Sequence, residues 1–230
     1  MSQKLTILFD LDGTLIDTAP DLMNAHNHVM KKFGYIEREL DDIKKLAGRG
    51  SKAMIKKSIY EIAERTGKIK KTNENENEEM TKEFINYYSQ NICNKSKPRA
   101  GVLNFLTWCK KNSILMAICT NKQEHLSIDL LKKIKLYDFF DYIAGGNTFN
   151  YNKPDPRHLT STIEIVGGNL KKSIMIGDSE TDSKAAEDAD ITFILIENGY
   201  PEKKPNQIHY NHLVKNFIGL DKIIQKYIND

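Results

Sequence analysis

Residues 5–18 read LTILFDLDGTLIDT, and no other stretch restricts so tightly what this chain can fold into. The apolar run over residues 5–9 has the length and composition of a buried strand. It delivers Asp10 and Asp12 onto the chain just where Gly13 forces a turn. Side by side at about 4 Å, two carboxylates repel by about 4 kcal/mol at a dielectric near ~20, so a cation or a shared proton belongs between them. The alternative is a buried strand that ends in a solvated Asp-Gly turn.

After Asp17 the apolar period lengthens from that of a strand to that of a helix. Leu22, Ala25, Val29 and Phe33 follow helical spacing behind Pro20, and Gly34 closes the segment. Leu40, Ile43 and Leu46 predict a second, shorter helix. Gly48-Arg49-Gly50 interrupts, and Met54, Ile55, Ile59 and Ile62 predict a third that ends near Gly67. Met80, Phe84, Tyr87 and Tyr88 carry a fourth. Four amphipathic helices with no strand between them hide their apolar stripes against each other or against a neighbouring domain. Residues 17–97 therefore read as an inserted helical unit within a core made of residues 1–16 and 98–230. Residues 73–79, NENENEE, offer no apolar surface to bury and read as a solvated loop after the basic residues 68–71.

From Pro98 onward helices and short apolar strands alternate. Strands are predicted at residues 114–119, 142–144, 173–176 and 191–196, and a further one within 212–217 precedes a terminal helix at 220–228. That order implies an α/β fold, a doubly wound parallel sheet of the Rossmann type covered on both faces. Ligands in such sheets gather beyond the carboxyl ends of the strands. The ends deliver Asp10 and Asp12 from the first strand, Thr120-Asn121-Lys122 from the one ending at Cys119, and Asp178 to Asp182 from the one ending at Ile176. The loop after Ala144 leads to Lys153-Pro154-Asp155-Pro156.

FDLDGTLIDT, ICTNK, NKPDP and GDSETD, in this order and each at a predicted strand end, resemble the four motifs of the haloacid dehalogenase superfamily. The resemblance covers nearly the whole chain and points to the branch of magnesium-dependent phosphatases with a helical cap inserted after the first motif. Within it the chain looks most like the phosphoglycolate phosphatases, on residues 17–22, Gly48-Arg49-Gly50, Thr120-Asn121-Lys122 and Gly177-Asp178-Ser179. It departs from them at Asn152, where glycine is common.

The resemblance implies that Asp10 is a nucleophile forming an aspartyl-phosphate, and that Asp12 protonates the leaving alkoxide and later activates water. It implies Mg2+ held by Asp10, the Asp12 carbonyl and Asp178, with Asp182 one helical turn on orienting Lys153 or a bound water. Lys153 is expected to neutralise the phosphoryl oxygens, and Thr120 and the Asn121 backbone to donate to them. Thr120 has a competing account, a capping box with Gln123, as Ser179 and Asp182 do at the other strand end. Arg49, between two glycines, is a candidate grip on a substrate carboxylate, with Gly50 beside it, and an exposed arginine in a loop closed by those glycines is the equal alternative. The expected reaction is hydrolysis of a small phosphate monoester, foremost 2-phosphoglycolate. Another ester, pyrophosphate or a sugar phosphomutase reaction are the alternatives, and a binding protein without turnover is the remaining one.

Charge argues in the same direction. Thirty-four basic and 31 acidic residues are scattered without a basic stripe, so neither nucleic acid nor a membrane is an expected partner. Three cysteines, with no Cys-x-x-Cys, fit reduced thiols in the cytoplasm. No apolar run approaches the length of a membrane span. A monomer and a homodimer are both compatible with the sequence.

Overall fold

The computed structural model describes residues 4–66 and 74–229. Strand β1 (Thr6–Phe9) is buried at all four positions and is central to a six-stranded sheet, as an uninterrupted apolar run requires. Next come β2 (Ile16–Asp17), then helices α1 (Ala19–Lys32), α2 (Leu40–Leu46), α3 (Ser51–Thr66) and α4 (Glu74–Gln90). Strand β3 (Lys97–Pro98) returns the chain to α5 (Val102–Lys111), β4 (Leu115–Cys119), α6 (Glu124–Lys133) and β5 (Tyr142–Ala144). Then follow α7 (Arg157–Ile165), β6 (Ser173–Gly177), α8 (Glu180–Asp188), β7 (Thr192–Ile196), β8 (His212–Val214) and α9 (Leu220–Asn229).

The sheet order is β5-β4-β1-β6-β7-β8, with every pairing parallel. Alternation along β1 divides the core between the two faces. Ile7 and Phe9 pack with Phe105, Phe217 and Ile224 on the side of α5 and α9, while Leu8 packs with Leu159, Met175 and Ala185 on the side of α7 and α8. The Phe9 ring meets Phe105 and Phe140 edge-on at 6.3 and 5.9 Å, so truncating it to alanine costs about 3–5 kcal/mol. Among the described residues, no helix is long and apolar enough to cross a membrane.

Helices α1 to α4 pack on one another, and their buried residues Leu22, Val29, Ile55, Ile59, Met80 and Phe84 join the same cluster as Phe9. The block leaves and re-enters the core through a single antiparallel pair, β2 with β3, in which Ile16 faces Pro98 and Asp17 faces Lys97. Buried Asp21, in the first turn of α1, reinforces this closure. Its carboxylate accepts from the amides of Lys95 and Ser96 and from the Ser96 hydroxyl, at 2.7–3.1 Å.

Two local expectations fail. Residues 74–79 are the opening turns of α4 and not a loop, whereas residues 67–73 lie outside the described residues. Across from this acidic turn stands α3, whose Lys52 and Lys56 pair with Glu74 at 2.8 and 3.4 Å. Negative charge at a helix N-terminus is also favourable in itself. The second failure is the Thr120–Gln123 capping box. Helix α6 starts at Glu124 with Gln123 as its N-cap, and the amide of Glu124 donates instead to Asn147 Oδ1 at 2.8 Å. Of the six histidines, His26 and His158 are fully buried.

Candidate active site

Three adjacent strands, β4, β1 and β6, deliver the polar groups to one edge of the sheet. Asp10 and Asp12 follow β1, Thr120 follows β4 and Asp178 follows β6, and all four are buried. Gly13 takes φ +84° in the turn after Asp12, and a Cβ there would stand 2.4 Å from Asp178 Oδ2. Only glycine lets the first strand's turn close on the carboxylate of the third. Thr14 Oγ1 donates to Asp178 Oδ1 at 2.7 Å and the Tyr200 amide donates to Oδ2 at 2.5 Å, which fixes that side chain from both sides.

Lys153 reaches the cluster from the loop after β5. Its Nζ lies 2.8 Å from Asp10 Oδ1 and 2.5 Å from Asp182 Oδ1. The other oxygen of Asp182 accepts from the amides of Asp178 and Ser179 and from the Ser179 hydroxyl, which completes a capping box at the start of α8. Capping and attachment to Lys153 thus coexist in one carboxylate. Asn121 Nδ2 donates to the Lys153 carbonyl at 2.9 Å and to the Gly48 carbonyl at 3.1 Å, joining the lysine's loop to the loop between α2 and α3.

Asp10, Asp178 and Asp182 each offer an oxygen within 4.8 Å of the others. Lys153 pairs with two of these three buried carboxylates, so negative charge is left uncompensated in a low dielectric. Burial pushes Asp10 up to about 6 against the pull of Lys153, with Asp182 adding to the rise. Burial and then the charges of Asp10 and Asp182 push Asp178 well above the carboxylate range. Burial works against the charge of Lys153, but Asp10 and Asp182 outweigh it and hold the ammonium protonated well above its usual range. An all-oxygen, carboxylate-rich donor set short of positive charge fits a hard divalent cation.

The carboxylate of Asp12 turns away from that cluster. Both of its oxygens accept from Lys122 Nζ, at 2.9 and 3.0 Å, and the same ammonium donates to Tyr88 Oη at 2.9 Å. Asp12, Lys122 and Tyr88 line a cavity together with Gly48, Gly50 and Ser51 and the apolar Leu22, Met54 and Phe84. Its water-accessible room is about 40 Å3, enough for a few waters.

Asp10, Asp178, Asp182 and Lys153 are thus together, with Asp12, Thr120 and Asn121 around them. Thr120 Oγ1 accepts from the Lys122 amide at 3.3 Å. Gly50 lines the cavity beneath Asn121, and a Cβ on it would come 3.1 Å from the Asn121 carbonyl. Arg49 goes elsewhere. Its guanidinium pairs with Glu202, which also takes Lys57 at 2.7 Å, and neither Arg49 nor Glu202 lines the cavity. Sequence reasoning missed Lys122, Tyr88, Thr14 and Tyr200. Lys122 was visible as the third residue of Thr-Asn-Lys; the partners of the other three are set only by tertiary approach.

Comparisons with known proteins agree with this architecture. The model of the haloacid dehalogenase-like hydrolases matches residues 7–196. A Mesorhizobium japonicum protein named phosphoglycolate phosphatase is 36% identical over 214 residues, which cover 93% of this chain and 92% of the relative. A protein of that name from Aquifex aeolicus is 33% identical and covers 84% of this chain and 85% of its own length. The crystal structure of a predicted phosphoglycolate phosphatase from Haemophilus somnus superposes with a TM-score of 0.90 at 25% identity, covering 98% of this chain and all of the other.

Proposed function

The chain belongs to the haloacid dehalogenase-like hydrolases and is a phosphatase, and on that premise we propose that it is a cytoplasmic Mg2+-dependent enzyme that hydrolyses 2-phosphoglycolate through an aspartyl-phosphate on Asp10. The observation that carries this reading is the meeting of Asp10, Asp178, Asp182 and Lys153 beyond adjacent strand ends. The names of its relatives over almost the full chain give the choice of ester.

Asp10 holds Lys153 with Oδ1, which leaves Oδ2 to attack phosphorus. The new bond joins Oδ2 to phosphorus while the bond from phosphorus to the alkoxide breaks, and Asp12, carrying a proton taken up as the ester binds, gives it to that alkoxide. Water then attacks the aspartyl-phosphate, Asp12 takes the water's proton, and phosphate leaves with Asp10 restored. Lys153, oriented by Asp182, faces the phosphoryl oxygens as their charge grows, with the Thr120 hydroxyl as a further donor. Asp10 and Asp178, with the Asp12 carbonyl, would hold Mg2+, which when bound neutralises the dianion as it meets a carboxylate. Residues 17–97 act as a cap over a core of residues 1–16 and 98–230. Closure of that cap keeps water from the site during the first transfer. Arg49 reaches the carboxylate of such an ester only by exchanging Glu202 for it, with Gly50 close by.

A phosphate-release panel with Mg2+ tests the reading, comparing 2-phosphoglycolate with hexose phosphates, nucleotides and pyrophosphate. The expected result is the highest kcat/KM for 2-phosphoglycolate. Preference for an ester without a carboxylate overturns that substrate, and transfer of phosphate to a sugar hydroxyl identifies a mutase instead.

A further inference from the structure

We infer that Tyr88 is a positioning residue which, through Lys122, makes the orientation of the Asp12 carboxylate depend on the seating of α4. The inference rests on the reading of Asp12 as the group that exchanges the proton. Lys122 Nζ has three protons to give. Two lie along bonds to the two oxygens of Asp12 and the third reaches Tyr88 Oη, so the ammonium is saturated and its rotation fixed. The same ammonium sits 4.4 Å from the centroid of the Tyr88 ring, so that ring and hydroxyl both hold it.

Packing accounts for the ring and not for the hydroxyl. Tyr88 is fully buried and stacks on Phe84 at 5.8 Å, and phenylalanine would fill that space. A buried phenol oxygen is costly unless it is bonded, and this one meets the cation that holds Asp12. Burial and the charge of Asp12 raise the phenol's pKa, so the hydroxyl remains neutral throughout the working range. Tyr88 stands on α4, whereas Asp12 and Lys122 follow β1 and β4. Lifting α4 removes one acceptor and one aromatic face from Lys122, which frees the ammonium to turn and releases Asp12 from a single orientation. Proton exchange is then efficient only when α4 lies over the site, and an ester bound under a raised helix is not committed to transfer.

The test is a double-mutant cycle of Tyr88→Phe with Lys122→Met, read as kcat and KM on the ester the wild type hydrolyses best, alongside thermal unfolding of each variant. Tyr88→Phe is expected to lower kcat about tenfold, the size of one hydrogen bond to a charged group, with KM and melting temperature little changed. In the Lys122→Met background the same substitution is expected to have no further effect on kcat. Where Lys122→Met does not fold, Lys122→Gln, which keeps a donor toward Asp12, takes its place. Wild-type kcat in Tyr88→Phe, a change confined to KM, or equal losses in both backgrounds overturns the inference. A wild-type protein that releases no phosphate from any ester overturns the phosphatase mechanism instead.

Discussion

Two buried lysines divide the site between them, and their surroundings differ in one respect that sets what each does. Lys153 pairs with Asp10 and Asp182, and Asp178 offers an oxygen within 4.8 Å of theirs, so three carboxylates gather where there is one ammonium. Lys122 faces Asp12 alone among carboxylates, and its remaining proton goes to a neutral phenol. The first assembly is short of positive charge, and a divalent cation would answer that shortage. The second is balanced and has no such need. It holds in place the Asp12 carboxylate, the proposed carrier of the proton. Burial alone does not distinguish the two lysines; the count of opposing charges does.

The most severe way to break this comparison is Asp10→Asn, which removes the proposed nucleophile from the first assembly. Turnover is expected to fall by about 10^4-fold or more, with melting unchanged or raised because one fewer charge remains uncompensated. Phosphate release near the wild-type rate would reject the assignment. Asp12→Asn strikes the second assembly, and its expected loss is smaller, about 10^2- to 10^4-fold. Against an ester with a good leaving group such as p-nitrophenyl phosphate, the first-transfer defect should shrink, because that leaving group needs no proton. An equal defect in single-turnover rates for both esters would deny Asp12 its role as acid.

A pair of histidines extends the contrast from the site to the two halves of the fold. His26 in α1 bonds Ser58 at 2.9 Å and His158 in α7 lies near Lys153, and burial brings each down to about 4. Their folded values lie below the unfolded value, so the unfolded chain takes up protons that the folded one refuses. Their stabilisation is complete above about pH 6.5 and lost as pH falls towards about 4, by up to ~3 kcal/mol for each. Denaturant unfolding at pH 7 and pH 4.5 should show a smaller acid loss in His26→Gln and His158→Gln than in the wild type. Equal losses in variant and parent would remove the histidines from the account.

Adding Mg2+ to chelator-treated protein sharpens the comparison most finely. It should stabilise the fold by about 2.7 kcal/mol at a hundredfold excess over the dissociation constant. Asp178→Asn is expected to abolish that shift and Asp12→Asn to keep it. The reverse pattern would move the cation to the other lysine's side.

Much of this was legible because it lies in short stretches that combine an apolar run with a polar end. The strand predicted at residues 142–144 coincides with β5, and Asp10, Thr120 and Asp178 all follow strands found where expected. What escaped depends on residues far apart in the chain. The acidic run at residues 74–79 shows no apolar stripe, and its helix is matched by lysines on α3. Tyr88 sits at helical spacing and reads as packing, which its ring fulfils, while its hydroxyl finds a lysine 34 positions away. Arg49 meets Glu202 at a separation of 153, which no local pattern announces. The Thr120 box failed because the chain takes three more residues to begin α6, whose first amide is satisfied from the loop after β5.

The two-rung pairing of Ile16 with Pro98 and Asp17 with Lys97 sets how freely this protein can vary. Its rungs bring the departure and return of the helical excursion side by side, so the register of the sheet does not depend on what lies beyond them. An excursion of different length or helix number could be spliced in there without disturbing how Phe9 sits between Ile118 and Ile176. The pairing of the strands is thereby insulated from the excursion, which meets the groups at their ends through side-chain contacts such as Lys122 with Tyr88 and Asn121 with Gly48.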